Sequence, residues 1–173
     1  MHVEVFAFAS RRCVLRDGSE VVIRRFHPRE DLLKWCGMIR ACSRDTLWRR
    51  FELRDHEAIV SRPEDFCRCE PGSDFILIAE RQGKILGEAR LCLFPEGDTA
   101  EFCVLVADPW QGLGLGSLLT DAVLEAARSL GVRRLVVEVV PENIRIVRLL
   151  EKRGFVFRRD PADRIFFGEK ILD

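Results

Sequence analysis

The chain has 173 residues, 47% hydrophobic and 32% charged, with 28 basic against 28 acidic side chains. This composition excludes a disordered segment, and zero net charge removes any general pull toward nucleic acid or an acidic membrane. No apolar run approaches the roughly 18 residues that span a bilayer and no basic leader precedes the short apolar start, while seven cysteines, an odd number, form no disulfide framework; the expectation is one globular domain over residues 1–173 in a reducing cytoplasm, without membrane or nucleic-acid partners.

In chain order, RRCVLR, the turn Asp17-Gly18-Ser19 and EVVIRRF read as a hairpin over 11–26. Pro28 and the acids that follow open a helix whose apolar stripe includes Leu32, Leu33, Cys36 and Ile39. Ser43 is placed to cap a second helix bearing Leu47, Trp48 and Phe51. Residues 55–71 are polar and broken by Pro63 and Pro71, which predicts short helices at the surface. Within them Cys67-Arg-Cys69 is the closest cysteine spacing, and one pair without a second predicts no metal site.

From Ser73 the pattern changes to short apolar runs divided by turns. FILIAE, ILGEARLCLF and TAEFCVLVAD predict an antiparallel meander. A glycine-rich stretch at 112–116 precedes a helix from Ser117 to Leu130, closed by Gly131. RRLVVEVV is apolar enough to be a buried strand running parallel to its predecessor. A helix over 142–152 and a final hairpin of GFVFRR with RIFFGEKI complete an α/β chain with a mixed sheet.

The segment that carries chemistry is Gln111-Gly112-Leu113-Gly114-Leu115-Gly116, between strand and helix. Glycines let backbone N–H groups converge on an anion, and the positive end of the helix adds to them. That makes a phosphate or pyrophosphate site. No Gly-Lys-Ser/Thr follows, so it is not a Walker loop, and the dinucleotide-fold context is missing.

At these residues the chain resembles the GNAT N-acetyltransferase superfamily. Gln111, Gly114 and Gly116 fill that family's Gln/Arg-x-x-Gly-x-Gly/Ala pattern. Val140-Pro141-Glu142-Asn143 with Leu149, Glu151, Lys152, Gly154 and Phe155 is similar to its second conserved stretch, from which Val147 and Leu150 depart. The resemblance spans about residues 20–170. A narrower one, through Leu15, Asp17-Gly18, Ile23-Arg24, Ser43, Arg50-Phe51 and Ala100-Glu101-Phe102 with Val104 and Val106, is to the catalytic domain of bacterial protein-lysine acetyltransferases. Those enzymes often carry a further nucleotide-sensing domain, for which this length leaves no room.

The resemblance implies a mostly antiparallel twisted sheet flanked by helices, with splayed central strands. It implies acetyl-CoA as co-substrate, no metal, an amine acceptor, and a monomer or homodimer. Residues 28–71 would line the acceptor side and 73–171 the cofactor side. Backbone groups of Val104, Leu105 and Val106 would hold the pantetheine and polarise the thioester. Amides of Gly112, Leu113, Gly114, Leu115, Gly116 and Ser117 would hold the pyrophosphate beside Gln111, with Asn143 near the pantetheine or sulfur. Gln111 as a solvated loop residue and Asn143 as a helix cap are the plainer alternatives.

An amine must be neutral to attack, and deprotonating a lysine at pH 7 costs roughly 4–5 kcal/mol. Glu101, just before the cofactor-contacting residues, is the candidate base. Glu88 on the adjacent strand is the runner-up, with a pKa raised by like-charge coupling if pairing brings the two together. The family often uses a tyrosine to protonate the leaving thiolate; here there is no tyrosine and the matching position is Leu150. Cys103 reads as a core thiol, since no histidine lies in the motifs to activate it. A protein lysine is the expected acceptor; a small amine, or a module that binds acyl-CoA without turnover, are the alternatives.

Overall fold

Tight turns at Asp17–Ser19, Gln82-Gly83 and Glu96–Asp98 fold the strands of the first half back on one another. The computed structural model describes residues 7–67, 74–159 and 164–173; Cys69, and with it the Cys67–Cys69 spacing, lies outside them. The strands are β1 (Arg11–Val14), β2 (Glu20–Arg25), β3 (Asp74–Arg81), β4 (Lys84–Leu93), β5 (Thr99–Val106), β6 (Arg134–Val139), β7 (Val156–Arg159) and β8 (Phe166–Ile171). They form one sheet in the order β1-β2-β3-β4-β5-β6-β8-β7, antiparallel throughout except between β5 and β6.

Helices cover both faces. α1 (Pro28–Arg40), α2 (Arg44–Phe51), α3 (His56–Val60) and α4 (Pro63–Phe66) lie between β2 and β3 in sequence, α5 (Leu115–Ser129) between β5 and β6, and α6 (Ile144–Glu151) between β6 and β7. Ile76 and Ile78 of β3 pack with Trp35, Ile39, Leu47 and Ile59. Phe75, Leu77 and Ala79 pack on the opposite face with Leu119, Val123 and Ala127 of α5. Cover on both faces explains why this strand is apolar at nearly every position. Gly87 lets β4, β5 and α5 approach closely: a Cβ there would sit 2.8 Å from the Leu105 carbonyl oxygen and 3.1 Å from Leu119. Among the described residues no helix is long and apolar enough to cross a membrane.

Three local expectations are corrected. Leu33 is 86% exposed, and the buried face of α1 runs through Asp31, Trp35, Cys36, Met38 and Ile39. A carboxylate occupies a core position, which displaced the apparent stripe. The segment after α2 is not a surface appendage, because Ile59, Val60 and Cys67 are buried beside α1. α5 begins at Leu115 rather than Ser117: Gly114, at φ +91°, turns the chain into the helix, and Gly116 joins its first turn.

Asp31 ties α1 to the sheet. Its carboxylate accepts two hydrogen bonds from Arg24 at 2.7 and 2.8 Å and one from the His27 amide at 2.9 Å; Arg24 also donates to Glu80 of β3. Burial pushes the Asp31 pKa up, but the bonds from Arg24 and His27 outweigh it and bring it down to about 2. The folded value lies below the unfolded one, so this stabilisation is present above about pH 4 and is lost as pH falls toward 2. It amounts to about 2 kcal/mol. Urea midpoints measured across pH 2–7 should fall for the wild type between pH 4 and 2. Asp31→Asn should be less stable at pH 7 and show a flatter profile in that window.

Candidate active site at the fork between β5 and β6

β5 and β6 pair at three positions only, Thr99 with Arg134, Ala100 with Leu135 and Glu101 with Val136. Beyond them β5 stays bonded to β4 as far as Val106, and β6 stays bonded to β8 as far as Val139. The strands therefore diverge past Glu101. The edge of β5 from Phe102 to Val106 faces a gap with no strand partner among the described residues.

One side of the gap is a cleft of about 340 Å³. Its floor is the glycine loop: Gly112, Gly114, Gly116 and Ser117 line it, with Gly112 and Gly114 at φ +77° and +91°. No side chain caps α5, so its first-turn amides are open to the cleft. Four arginines surround this floor: Arg16, Arg49, Arg50 and Arg145. Arg16, on the loop of the first hairpin, is held over the glycines by its own amide, which donates to the Leu113 carbonyl at 3.0 Å. Among the described residues Arg16, Arg49 and Arg145 form no salt bridge. A helix N-terminus, convergent amides and unpaired guanidinium groups make a polyanion site.

The residues expected from sequence fall into distinct groups. Val104, Leu105, Val106, Gln111, Gly112, Gly114, Gly116, Ser117 and Asn143 line the cleft. Leu115 is buried in the α5-side core and Leu113 packs against it, so only their backbones remain for a ligand. Gln111 braces the loop: its amide donates to the Val106 carbonyl at 2.9 Å and to the Thr46 hydroxyl at 3.2 Å. Asn143 occupies the cap position of α6 without making a side-chain cap bond, which leaves its amide free in the cleft.

Glu101, at the last paired rung, lies on the other side of the fork. It lines a cavity of about 120 Å³ with Arg49, Arg50, Cys103, Val104, Glu138 and Asn143. The Cys103 thiol is 3.9 Å from its carboxylate. Glu101 also borders an outer groove with Phe94, Glu96, Asp98, Glu138 and Phe167. This groove is predominantly acidic, since among the described residues its one cation, Arg134, is paired with Glu169. Arg49, Arg50, Val104, Asn143 and Ile146 are common to the cleft and the small cavity, and mark where the two meet.

Glu88 is a correction. Register places it opposite Leu105, and Glu101 opposite Cys92, four residues further along β4. Glu88 is fully buried and lines none of these three cavities. Its carboxylate accepts from Arg90 at 3.0 Å and Trp35 Nε1 at 3.0 Å, with Arg50 at 3.8 Å. Burial pushes its pKa up, but the charges of Arg90 and Arg50 and the hydrogen bonds outweigh this and leave it lowered. A buried carboxylate held by Arg90 and Trp35 and lying outside all three cavities is not placed to take an acceptor's proton. Sequence reasoning also missed Arg16 and Arg145. The only signal was their place, one in the Asp17-Gly18 turn and one just after Asn143.

Known proteins resemble the chain in sequence and in fold. The acetyltransferase (GNAT) family model matches residues 42–155. The acetyltransferase Pat of Mycolicibacterium smegmatis is 25% identical over 148 residues, covering 76% of this chain and 44% of that protein. A mycothiol acetyltransferase of Beutenbergia cavernae is 45% identical over 62 residues, 35% of this chain and 21% of its own length. The chain thus spans less than half the length of these curated relatives. The solved GNAT domain of S. lividans PAT superposes with a TM-score of 0.81 at 25% identity, covering 94% of this chain and 97% of that one.

The loop glycines should respond differently to a methyl group. Gly114 has room for a Cβ, its nearest neighbour being Arg16 at 3.7 Å, but its φ of +91° disfavours any L side chain. Gly116 lies in the helix at an ordinary φ, and its Cβ would meet only Leu149 and Val106 at 3.7 and 3.8 Å. In denaturant titrations Gly114→Ala should lose about 1–2 kcal/mol. Gly116→Ala should match or exceed wild type by up to about 1 kcal/mol.

Proposed function

The chain belongs to the acetyltransferase (GNAT) family, and from that premise we propose that it transfers an acetyl group from acetyl-CoA to the side-chain amine of a protein lysine, with Glu101 as general base. The observation that carries this reading is the fork. A cationic, glycine-floored cleft and an acidic groove both open onto one small cavity, which shares Arg49, Arg50 and Asn143 with the cleft and Glu101 and Glu138 with the groove.

The cleft suits acetyl-CoA. Its arginines and the α5 amides match a pyrophosphate, and the unpaired edge of β5 matches the amide-bearing pantetheine arm. The groove suits a cationic acceptor, because Glu96, Asp98 and Glu138 raise the local concentration of an ammonium group. Glu101 takes the proton from that ammonium. The freed nitrogen lone pair attacks the thioester carbonyl carbon, the C–S bond breaks with its electrons on sulfur, and the amide and CoA leave. The sequence resemblance to the catalytic domain of bacterial protein-lysine acetyltransferases supports a protein acceptor, and the similarity to a mycothiol acetyltransferase keeps a small molecule as the competing acceptor.

Calorimetry should detect acetyl-CoA binding, with NADH and ATP binding more weakly. Glu101→Gln should bind acetyl-CoA normally and lose about 10²- to 10⁴-fold in turnover at pH 7. The loss should shrink at high pH, where the amine is already neutral. Near-normal turnover at pH 7 would remove Glu101 from this role. Mass spectrometry of lysate proteins incubated with the enzyme and acetyl-CoA addresses the acceptor: fast acetylation of a small amine without enzyme-dependent acetyl-lysine would reassign it.

A further inference from the structure

The acetyl-CoA reading leaves the departing thiolate without a proton donor of the usual kind, since the chain contains no tyrosine. Where the cleft and the small cavity meet, the polar side chains are Arg49, Arg50 and Asn143. We propose that Arg50 is the leaving-group residue: its guanidinium lies against the thioester sulfur and stabilises the CoA thiolate by charge, in place of an acid that protonates it. This rests on the acetyl-transfer reading above.

Arg50 is anchored for such a task and Arg49 is not. The Arg50 guanidinium carbon sits 4.6 Å from the Phe51 ring centre, and Nη2 is 3.8 Å from Glu88. Its side chain is 17% exposed, while Arg49 is exposed and forms no salt bridge among the described residues. Glu88 is itself immobilised by Arg90 and Trp35. Two arginines share one buried carboxylate, so this group carries a net positive charge, which Arg49 adds to and Glu52, Glu101 and Glu138 face across the small cavity. Arg50 Nε is buried, with no hydrogen-bond partner among the described residues. The same field already acts on a sulfur. The Cys103 thiol lies below its ordinary pKa, through a hydrogen bond with Cys92 first and then the charge of Arg50, against the effect of burial.

In the step proposed, Glu101 holds the amine's proton while nitrogen bonds to the carbonyl carbon. The C–S electron pair then passes to sulfur beside Arg50. The acylated nitrogen gives its second proton to solvent, the thiolate takes a proton from solvent on release and Glu101 returns to solvent the proton it took from the ammonium, so ammonium and acetyl-CoA give amide, CoA thiol and one released proton.

The test reads the thiol of bound CoA directly. Thiolate ultraviolet absorbance is followed against pH for the CoA complex, with the desulfo-CoA complex subtracted to remove the protein's own cysteines. In the wild type the bound thiol should ionise about one pH unit or more below free CoA, a roughly tenfold gain in thiolate at a given pH. Arg50→Gln should abolish that shift and Arg50→Lys should keep part of it, with kcat falling far more than KM changes in the Gln variant. Bound CoA that ionises at or above the pH of free CoA in the wild type overturns the proposal without recourse to any variant, and so does an unchanged shift in folded Arg50→Gln. Failure of CoA to bind at all overturns the acetyl-transfer reading together with this one, whereas binding with an unshifted thiol overturns this one alone.

Discussion

β5 and β6 surrender their hydrogen bonds after three rungs, and the site is arranged around that loss. Backbone N–H and C=O groups left without a partner carry a free-energy penalty unless water or a ligand satisfies them. The gap stays open because each arm is held from behind. Gly87 lets β4 lie tightly on β5 and α5, and β8 runs along β6 for its whole length. Neither strand is free to swing across and restore the missing rungs. An extended ligand that carries its own amides can use the exposed edge as a further strand would.

Charge is distributed to match. Arginines surround the glycine loop on one side of the fork, carboxylates line the groove on the other, and the Glu88–Arg90–Arg50 group lies near the junction. A buried ion pair contributes little net stability after its desolvation cost. Its contribution here is placement: Glu88 holds Arg50 from below, while Trp35 and Arg90 hold Glu88. Truncating Glu88 would leave the buried Arg90 guanidinium and the half-buried one of Arg50 without the carboxylate they share.

Much of the architecture was legible because its signals are local. Alternation and turn residues located the strands, and glycines between strand and helix located the cleft floor. Less legible were features set by neighbours distant in sequence. Asp31 looks like a first-turn acid but is the buried partner of Arg24. Glu88 and Glu101 look equivalent as strand glutamates, and only register and the side chains of α1 and α2 separate their environments. Arg16 is more than ninety residues from the glycine loop it covers, and nothing in its own turn points there. Leu113 and Leu115 sit inside the motif yet face the core, because a loop motif specifies backbone and leaves its intervening side chains to packing.

The strand order also constrains assembly. β8 lies between β6 and β7 although it follows both in sequence, so β7 cannot dock on β6 first without blocking the later strand. A mispaired β6–β7 ribbon is a kinetic trap of the kind that non-local strand pairing invites. Gly168 selects against slipped registers of β8. In the native pairing it stands between Val137 and Phe157, whose side chains occupy the space over it; a Cβ there would come within 2.7 and 2.5 Å of them. A shift of one residue would bring Phe167 or Glu169 into that slot, where no side chain fits. The missing methyl group at one position thus acts as a checkpoint on the register in which β8 joins its two neighbours.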